Sequence, residues 1–220
     1  MKKKNFLIIR VFGGLGNQLW QYAVGKSLSL KYKKKLILDI SFFDNPFIDL
    51  PNGFKAKFEL NKFQISKEVL LEKNFYNHSY RLFKYFIRFF PNNIKNFFFI
   101  KKNYVINNFI FEKKLFKKIP FEKVLNKKET SYLIGYWQSK DYLKESYEII
   151  KQELQPVYIN NNLRKFLKQI KYNYVAIHIR GGDMEIEKHY SAPDDKYYLK
   201  IFNMLKKKIK IFIFIYLLTI

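Results

Sequence analysis

Apolar and polar positions follow two periods along this chain, and the changes of period mark its elements. Residues 6–12, Phe-Leu-Ile-Ile-Arg-Val-Phe, form a nearly unbroken apolar run, as a strand buried on both faces does. Gly13-Gly14-Leu15-Gly16-Asn17-Gln18 follows as a tight loop. The period then turns helical. Trp20, Ala23, Val24, Ser27 and Leu28 share one face of a helix that starts near Asn17, with Asn17 as a candidate cap. Lys31 to Lys35 put positive charge at its carboxyl end, where the helix dipole favours it. Leu36 to Ile40 reads as a second strand, and the whole unit has the length of a βαβ motif.

Residues 45–128 carry no clear period. Asn45-Pro46, Pro51-Asn52-Gly53 and Pro91-Asn92-Asn93 mark turns, and the aromatic, Lys-rich pieces between them, such as Tyr80 to Phe90, read as core or subdomain packing. Periodicity returns at Tyr132 to Trp137, a strand. Gln138 to Asp141 make a turn and cap for a helix whose face is Leu143, Tyr147, Ile150 and Leu154, ended by Pro156. A second helix after Asn160 to Asn162 presents Leu163, Phe166, Leu167 and Ile170. Tyr174 to Ile179 is a strand running into a loop. Asp194 and Asp195 cap a helix with Tyr198, Ile201, Phe202 and Leu205 on one face, and Ile209 to Ile215 reads as a final strand. Strands alternating with helices predict an α/β fold with parallel sheets.

Composition narrows the function. There is no cysteine, which excludes disulfides and thiolate metal sites. The three histidines, His78, His178 and His189, show no metal-ligand spacing. The net charge of +24 has two readings. One is attraction to a polyanion; the other is an A+T-rich coding sequence, which enriches Lys, Asn, Ile, Phe and Tyr. The basic residues are scattered along the chain, which favours the second reading, so no nucleic-acid partner is expected. Residues 6–12 are too short for a signal-peptide core and contain Arg10, and no run reaches the roughly 18–20 apolar residues of a membrane span. A cytoplasmic location is expected. Peripheral contact with an anionic membrane surface is within reach of the Lys206–Lys208 cluster and the apolar segment Ile209 to Ile220.

Two motifs carry candidate chemistry. The first is the loop Gly13, Gly14, Gly16, Asn17 and Gln18, where glycines let a ligand approach backbone N–H groups and the amides add neutral donors and acceptors. Its spacing is neither that of a dinucleotide loop nor that of a Walker loop. Without a ligand it is a tight strand-to-helix turn. The second is His178-x-Arg180-x-x-Asp183 at a strand end. A guanidinium is a natural bidentate partner for a diphosphate. His178 reads equally as a satisfied strand-end histidine, and Asp183 as a turn cap. Glu185, Glu187 and His189 follow closely enough to supply a general base, though acidic loop residues are usually just solvated.

Taken together, these motifs resemble a known family. Residues 8–23, from Ile8 through Gly13-Gly14-Leu15-Gly16-Asn17-Gln18 to Ala23, closely resemble the start of family 11 glycosyltransferases, the α-1,2-fucosyltransferases. Leu38-Asp39-Ile40-Ser41-Phe42-Phe43, Phe58-Glu59-Leu60 and Gly135-Tyr136-Trp137-Gln138-Ser139 match further landmarks in order, and His178 to Asp183 resembles the family's H-x-R-R-x-D-Y motif. The resemblance implies a GT-B-like pair of Rossmann-like domains: an acceptor-side domain over residues 1–158 and a GDP-sugar-binding domain over 159–220, the latter incomplete. It implies transfer of fucose from GDP-fucose to the 2-hydroxyl of a galactose-containing acceptor glycan, with inversion, no metal and no cofactor. Arg180 would hold the donor pyrophosphate, with His178 and Asp183 shaping its loop, and the Gly14–Asn17 loop would line the cleft. No residue is assigned as catalytic base.

The chain departs from the family's pattern in two ways. Gly181 stands where the family has a second Arg, and Met184 where it has a Tyr. Charge-assisted hydrogen bonds contribute about 1.5–3 kcal/mol each, so donor affinity is expected to fall about tenfold to a hundredfold. Family members also continue beyond this point. The segment after residue 214 resembles a frameshifted or prematurely stopped end, so weak or absent transferase activity is expected. The alternatives are an active enzyme with a different donor or acceptor that builds surface polysaccharide, a non-catalytic remnant that still binds acceptor glycans, and a basic nucleic-acid-binding protein.

Overall fold

The computed structural model describes residues 5–43, 56–73, 91, 106, 108–112, 119–126, 128–169, 175–180, 194–208 and 214–219, with side chains described in these except at 175–180, 195, 206–208 and 214–219. The described residues fall into two compact units, one ending at Val157 and one beginning at Tyr158.

The first unit is an α/β layer structure. Its strands are β1 (Phe6–Arg10), β2 (Lys35–Asp39), β3 (Leu70–Glu72), β4 (Asn108–Phe111) and β5 (Ser131–Ile134), in the order β3-β2-β1-β5-β4. Every neighbouring pair is parallel, with Phe6 opposite Lys35 and Arg10 opposite Asp39. The apolar run of residues 6–12 has a direct cause in this position, because a central parallel strand is buried on both faces. Leu7, Ile9 and Val11 join one core with Tyr22, Val24 and Leu28, whereas Ile8 joins Ile37, Tyr132 and Phe109 in another.

Helix α1 (Leu15–Tyr32) packs on the sheet. It starts at Leu15 with Gly14 as N-cap and no side-chain cap, so the expected start near Asn17 with Asn17 as cap is corrected. Gly16, Asn17 and Gln18 therefore belong to its first turn, not to the loop. Ala23, Val24, Ser27 and Leu28 are buried as predicted, but so are Gln21, Tyr22, Lys26 and Ser29. The excess burial comes from neighbours on more than one side. Lys26 Nζ pairs with Glu153 at 2.7 Å, and Ser27 Oγ donates to the carbonyl of Tyr142 at 2.5 Å. Gly25 permits the close approach to the sheet: a Cβ there would lie 3.0 Å from Ile9 Cγ2 and 3.1 Å from Leu36 Cδ1.

The aperiodic middle supplies β3, β4, a 3-10 turn at Leu60–Lys62 and a one-turn helix α2 (Phe121–Val124). The turn signals at 45–46, 51–53 and 92–93, and the segment Tyr80 to Phe90, lie outside the described residues. The strand expected over Tyr132 to Trp137 ends at Ile134, because the chain turns sharply after it. A 3-10 turn at Lys140–Tyr142 precedes helix α3 (Tyr147–Glu153), in which Ile150 is buried and Tyr147 is exposed, contrary to the single face expected. Pro156 lies two residues beyond the C-cap Leu154, where a proline blocks continuation of the helix. The helix stops at Glu153, and Pro156 makes an antiparallel bridge with Phe63.

The second unit contains α4 (Asn161–Gln169), β6 (Val175–Arg180), α5 (Asp195–Lys208) and β7 (Phe214–Thr219). Strands β6 and β7 pair in parallel, Val175 opposite Phe214 and Arg180 opposite Thr219. Leu163 and Leu167 of α4 are exposed rather than packed, and Ile170 lies outside the described residues. Asp194 caps α5, accepting from Tyr197 N at 2.8 Å, whereas Asp195 is the first helical residue. Of the final strand expected over Ile209 to Ile215, residues 209–213 lie outside the described residues; β7 begins at Phe214 and extends beyond Ile215 to Thr219.

Candidate functional site

The strand order departs from β1 in both directions, to β2 and β3 on one side and to β5 and β4 on the other. In open parallel sheets, ligands bind at the carboxyl edge next to such a switch point. Here that edge is formed by the turns after β1 and β5, and three contacts hold the two turns together. Gln21, buried in α1, accepts from Phe12 N at 3.0 Å and donates to the Gly135 carbonyl at 3.1 Å. Gln138 Nε2 donates to Asn17 Oδ1 at 3.0 Å. The rings of Phe12 and Tyr136 meet at 4.9 Å between centroids.

The glycines of the first turn divide into two kinds. Gly13 has φ +78°, and a Cβ there would lie 2.7 Å from Asn17 Nδ2, so the local backbone requires glycine. Gly14 and Gly16 are exposed, and a Cβ at either would meet nothing within 4 Å. Neither packing nor backbone strain accounts for glycine at these two positions. Asn17 faces Gln138. Gln18 is fully buried, donating to the carbonyls of Gly13 at 2.9 Å and Lys57 at 2.8 Å and accepting from Glu59 N at 2.9 Å. Gln18 thus ties the turn to the Phe58-Glu59-Leu60 segment, which gives that sequence landmark a structural cause.

The turn after β5 is equally constrained. A Cβ on Gly135 would fall 2.5 Å from Glu112 Cβ and 2.9 Å from Trp137 Cε2. Glu112 Oε2 accepts from Tyr136 N at 2.6 Å and Trp137 N at 3.1 Å. Trp137 adopts φ +59°, an uncommon conformation for a bulky residue, which places its ring in the core against Phe121. Its indole N–H is buried without a hydrogen-bond partner among the described residues. Strained backbone of this kind concentrates at functional turns.

Beneath this edge lies a buried polar knot. Arg10 stands opposite Asp39 in the β1–β2 register. Asp39, fully buried, accepts from Ser41 N at 3.0 Å, from Ser41 Oγ at 2.6 Å and from Tyr132 Oη. Burial pushes its carboxyl above the ordinary range, while Arg10, Ser41 and Tyr132 pull it back. An acidic residue at the end of a second strand is a common ribose ligand. Asp39 is instead committed to the protein itself. No group of three His, Asp or Glu side chains suited to a metal ion occurs among the described residues.

Of the second motif, His178 and Arg180 lie on β6 in the second unit, Arg180 as its last residue instead of in the following loop. Asp183, with Gly181, Glu185, Glu187 and His189, lies outside the described residues. Gln21 and Glu112 were not predicted as site residues. Gln21 carried a signal, a glutamine on the helix flank three positions beyond Gln18, but polar residues there read as solvated until a strand end is known to lie beside them.

This chain is similar to two glycosyltransferases of Escherichia coli. It is 27% identical to an α-1,2-colitosyltransferase over 220 residues, covering 96% of this chain and 67% of that protein. It is 30% identical to the O-antigen biosynthesis glycosyltransferase WbnK over 190 residues, covering 81% of this chain and 60% of that protein. No family model matches the chain, and no solved structure matches it. Both relatives are glycosyltransferases, and the similarity supports a glycosyl-transfer role drawing on a nucleotide-sugar donor and a glycan acceptor.

Proposed function

We propose that this chain is a glycosyltransferase of the family 11 type that transfers fucose from GDP-fucose to the 2-hydroxyl of a galactoside, in glycan or surface-polysaccharide synthesis. The observation that carries the reading is the pair of open glycines, Gly14 and Gly16, at the carboxyl edge of a five-stranded parallel sheet. In this reading the fold is of the GT-B class. The first unit presents the Gly13–Gln18 turn to the acceptor side. In the second unit Arg180 binds the donor pyrophosphate, and His178 and Asp183 shape its loop. Donor binding is weak because Gly181 supplies no guanidinium. The reaction belongs in the cytoplasm, with peripheral membrane contact through the lysines at 206–208. No helix among the described residues is long and apolar enough to cross a membrane.

The name of the first relative favours a second reading, in which the same site takes a colitosyl donor. A transfer assay decides between them. Purified protein is incubated with lactose and either radiolabelled GDP-fucose or a nucleotide-linked colitose. Slow α-1,2-fucosyl transfer that GDP inhibits is the expected result. Transfer from the colitosyl donor alone selects the second reading, and absence of transfer together with absence of GDP binding sinks both. Gly181→Arg is expected to tighten GDP about tenfold to a hundredfold by restoring a charge-assisted contact. An unchanged GDP affinity removes this loop from the diphosphate.

A further inference from the structure

Three aromatic rings at the carboxyl edge of the first unit's sheet belong to neither of its hydrophobic cores. Phe12, Phe42 and Tyr136 are each half-buried, and both core clusters are built without them. Phe12 lies 6.0 Å from Phe42 and 4.9 Å from Tyr136, centroid to centroid, with interplanar angles of 56° and 55°. They come from the turns after β1, β2 and β5, which bracket the switch point. The Arg10 guanidinium sits 5.7 Å from the Phe12 centroid and 6.0 Å from that of Phe42, and it is itself buried. A buried cation against two rings fixes their orientation from the protein side.

We infer that Phe12, Phe42 and Tyr136 form a stacking platform for an uncharged hexopyranose ring, the acceptor sugar of the transfer reaction proposed above. The inference deepens that reading and rests on it. A pyranose ring has one face rich in C–H bonds, which pack on aromatic faces, and an equatorial belt of hydroxyls that needs neutral donors and acceptors. Both features are present at this edge. The Asn17 and Gln138 amides are bonded to each other across the same edge, each with hydrogen-bonding capacity beyond that bond. The exposed Gly14 and Gly16 leave open space on either side of Leu15, whose own side chain is also exposed. A diphosphate, by contrast, calls for an accessible guanidinium or ammonium, and Arg10 is turned inward beneath the rings. A site of a few aromatic walls and a few neutral polar groups is the usual composition of a small-ligand pocket.

Saturation-transfer NMR on the whole chain tests this, with methyl β-galactopyranoside and GDP as separate probes. Wild-type protein is expected to saturate the sugar's C–H protons unevenly, strongest on one face of the ring. Phe42→Leu and Tyr136→Leu keep the apolar volume but remove the π face. Each is expected to weaken the sugar at least fivefold while GDP binding holds. Unchanged sugar affinity in both variants overturns the platform, as does even saturation of the whole ring. Loss of GDP instead of sugar also overturns it and assigns the rings to the nucleobase. If wild-type protein binds GDP but not the sugar, the platform fails and the transferase reading stands; if it binds neither, both fail. The wild-type saturation pattern decides the question even if a variant melts early.

Discussion

At the scale of single residues, identical side chains do different work at this site, and substitution separates them. Gly13 is needed by its backbone and by the space Asn17 occupies, so Gly13→Ala is expected to lose about 1–2 kcal/mol from the left-handed conformation alone. Gly16 sits in the first turn of α1 in open space, and Gly16→Ala is expected to gain about 0.5–1 kcal/mol through helix propensity and a stiffer unfolded chain. Urea denaturation reads both changes. Equal losses in the two variants mean that Gly16 is packed after all. A variant that is more stable yet transfers less sugar identifies Gly16 as a ligand-approach position. Tyr22 gives a second handle. Its hydroxyl donates to Glu153 at 2.6 Å, and burial, followed by that carboxylate, pushes its ionisation well above the ordinary value of 10.0. The folded state keeps a proton that the unfolded state releases, so Tyr22 contributes stability that is fully present below pH 10 and is lost as pH rises beyond it. Tyr22→Phe is expected to lower stability at neutral pH, where the bonds to Glu153 and Ser66 are lost, and to flatten the decline above pH 10. Melting curves between pH 7 and pH 11 check this. Parallel curves for the two proteins argue against the assignment.

At the scale of elements, the carboxyl edge is held by α1 more than by the strands themselves. Gln21 closes both turns at once, through Phe12 N and the Gly135 carbonyl. Gln21→Leu fills a similar volume but strands one donor and one acceptor away from water, at a cost of about 2–4 kcal/mol. Denaturation midpoints of Gln21→Leu and of the exposed control Gln152→Leu provide the measurement; matching midpoints mean the bridge contributes nothing. The same elements show what the sequence reveals and what it hides. β1, α1 and β2 were legible because a doubly buried strand reads as a solid apolar run and α1 follows at helical spacing. β3 and β4 were not. Each spans only a few residues, and Leu70–Glu72 and Asn108–Phe111 sit in Lys-, Asn- and Phe-rich sequence where the strand period has no contrast. The Gly13–Gln18 turn was legible from composition, but its partner across the edge was not. Glu112, Gly135 and Trp137 form one turn only because the parallel pairing of β4 with β5 sets Phe111 opposite Ile134. Nothing in the local pattern around residue 112 announces that register.

At the scale of the whole molecule, charge is the dominant unexplained quantity. The chain has 42 Lys and Arg against 18 Asp and Glu, so a net charge of +24 remains however the acids are paired. The described ion pairs offset little of this. Lys26–Glu153 is well shielded, whereas Lys31–Glu122, Lys31–Glu145 and Lys144–Asp141 are at least partly exposed. Such exposed pairs contribute about 0–1 kcal/mol each, and salt weakens them further. Self-repulsion among the remaining cations acts over the whole surface and opposes the compact state. Its range falls from about 30 Å at 0.01 M salt to about 10 Å at 0.1 M. Raising sodium chloride through that interval is therefore expected to raise the melting temperature, since the screened repulsion exceeds the few screened attractions. Potassium chloride should act equally, because screening depends on ionic strength and not on ion identity. A melting temperature that stays level or falls refutes general repulsion and points to charges paired more widely than the described residues show. The same titration separates scattered charge from a polyanion site. Scattered lysines bind random oligonucleotides weakly and leave GDP undisturbed, whereas a concentrated basic face gives a steep fall of affinity with salt. Weak oligonucleotide binding without competition against GDP is the outcome expected of a chain whose positive charge is spread along its length.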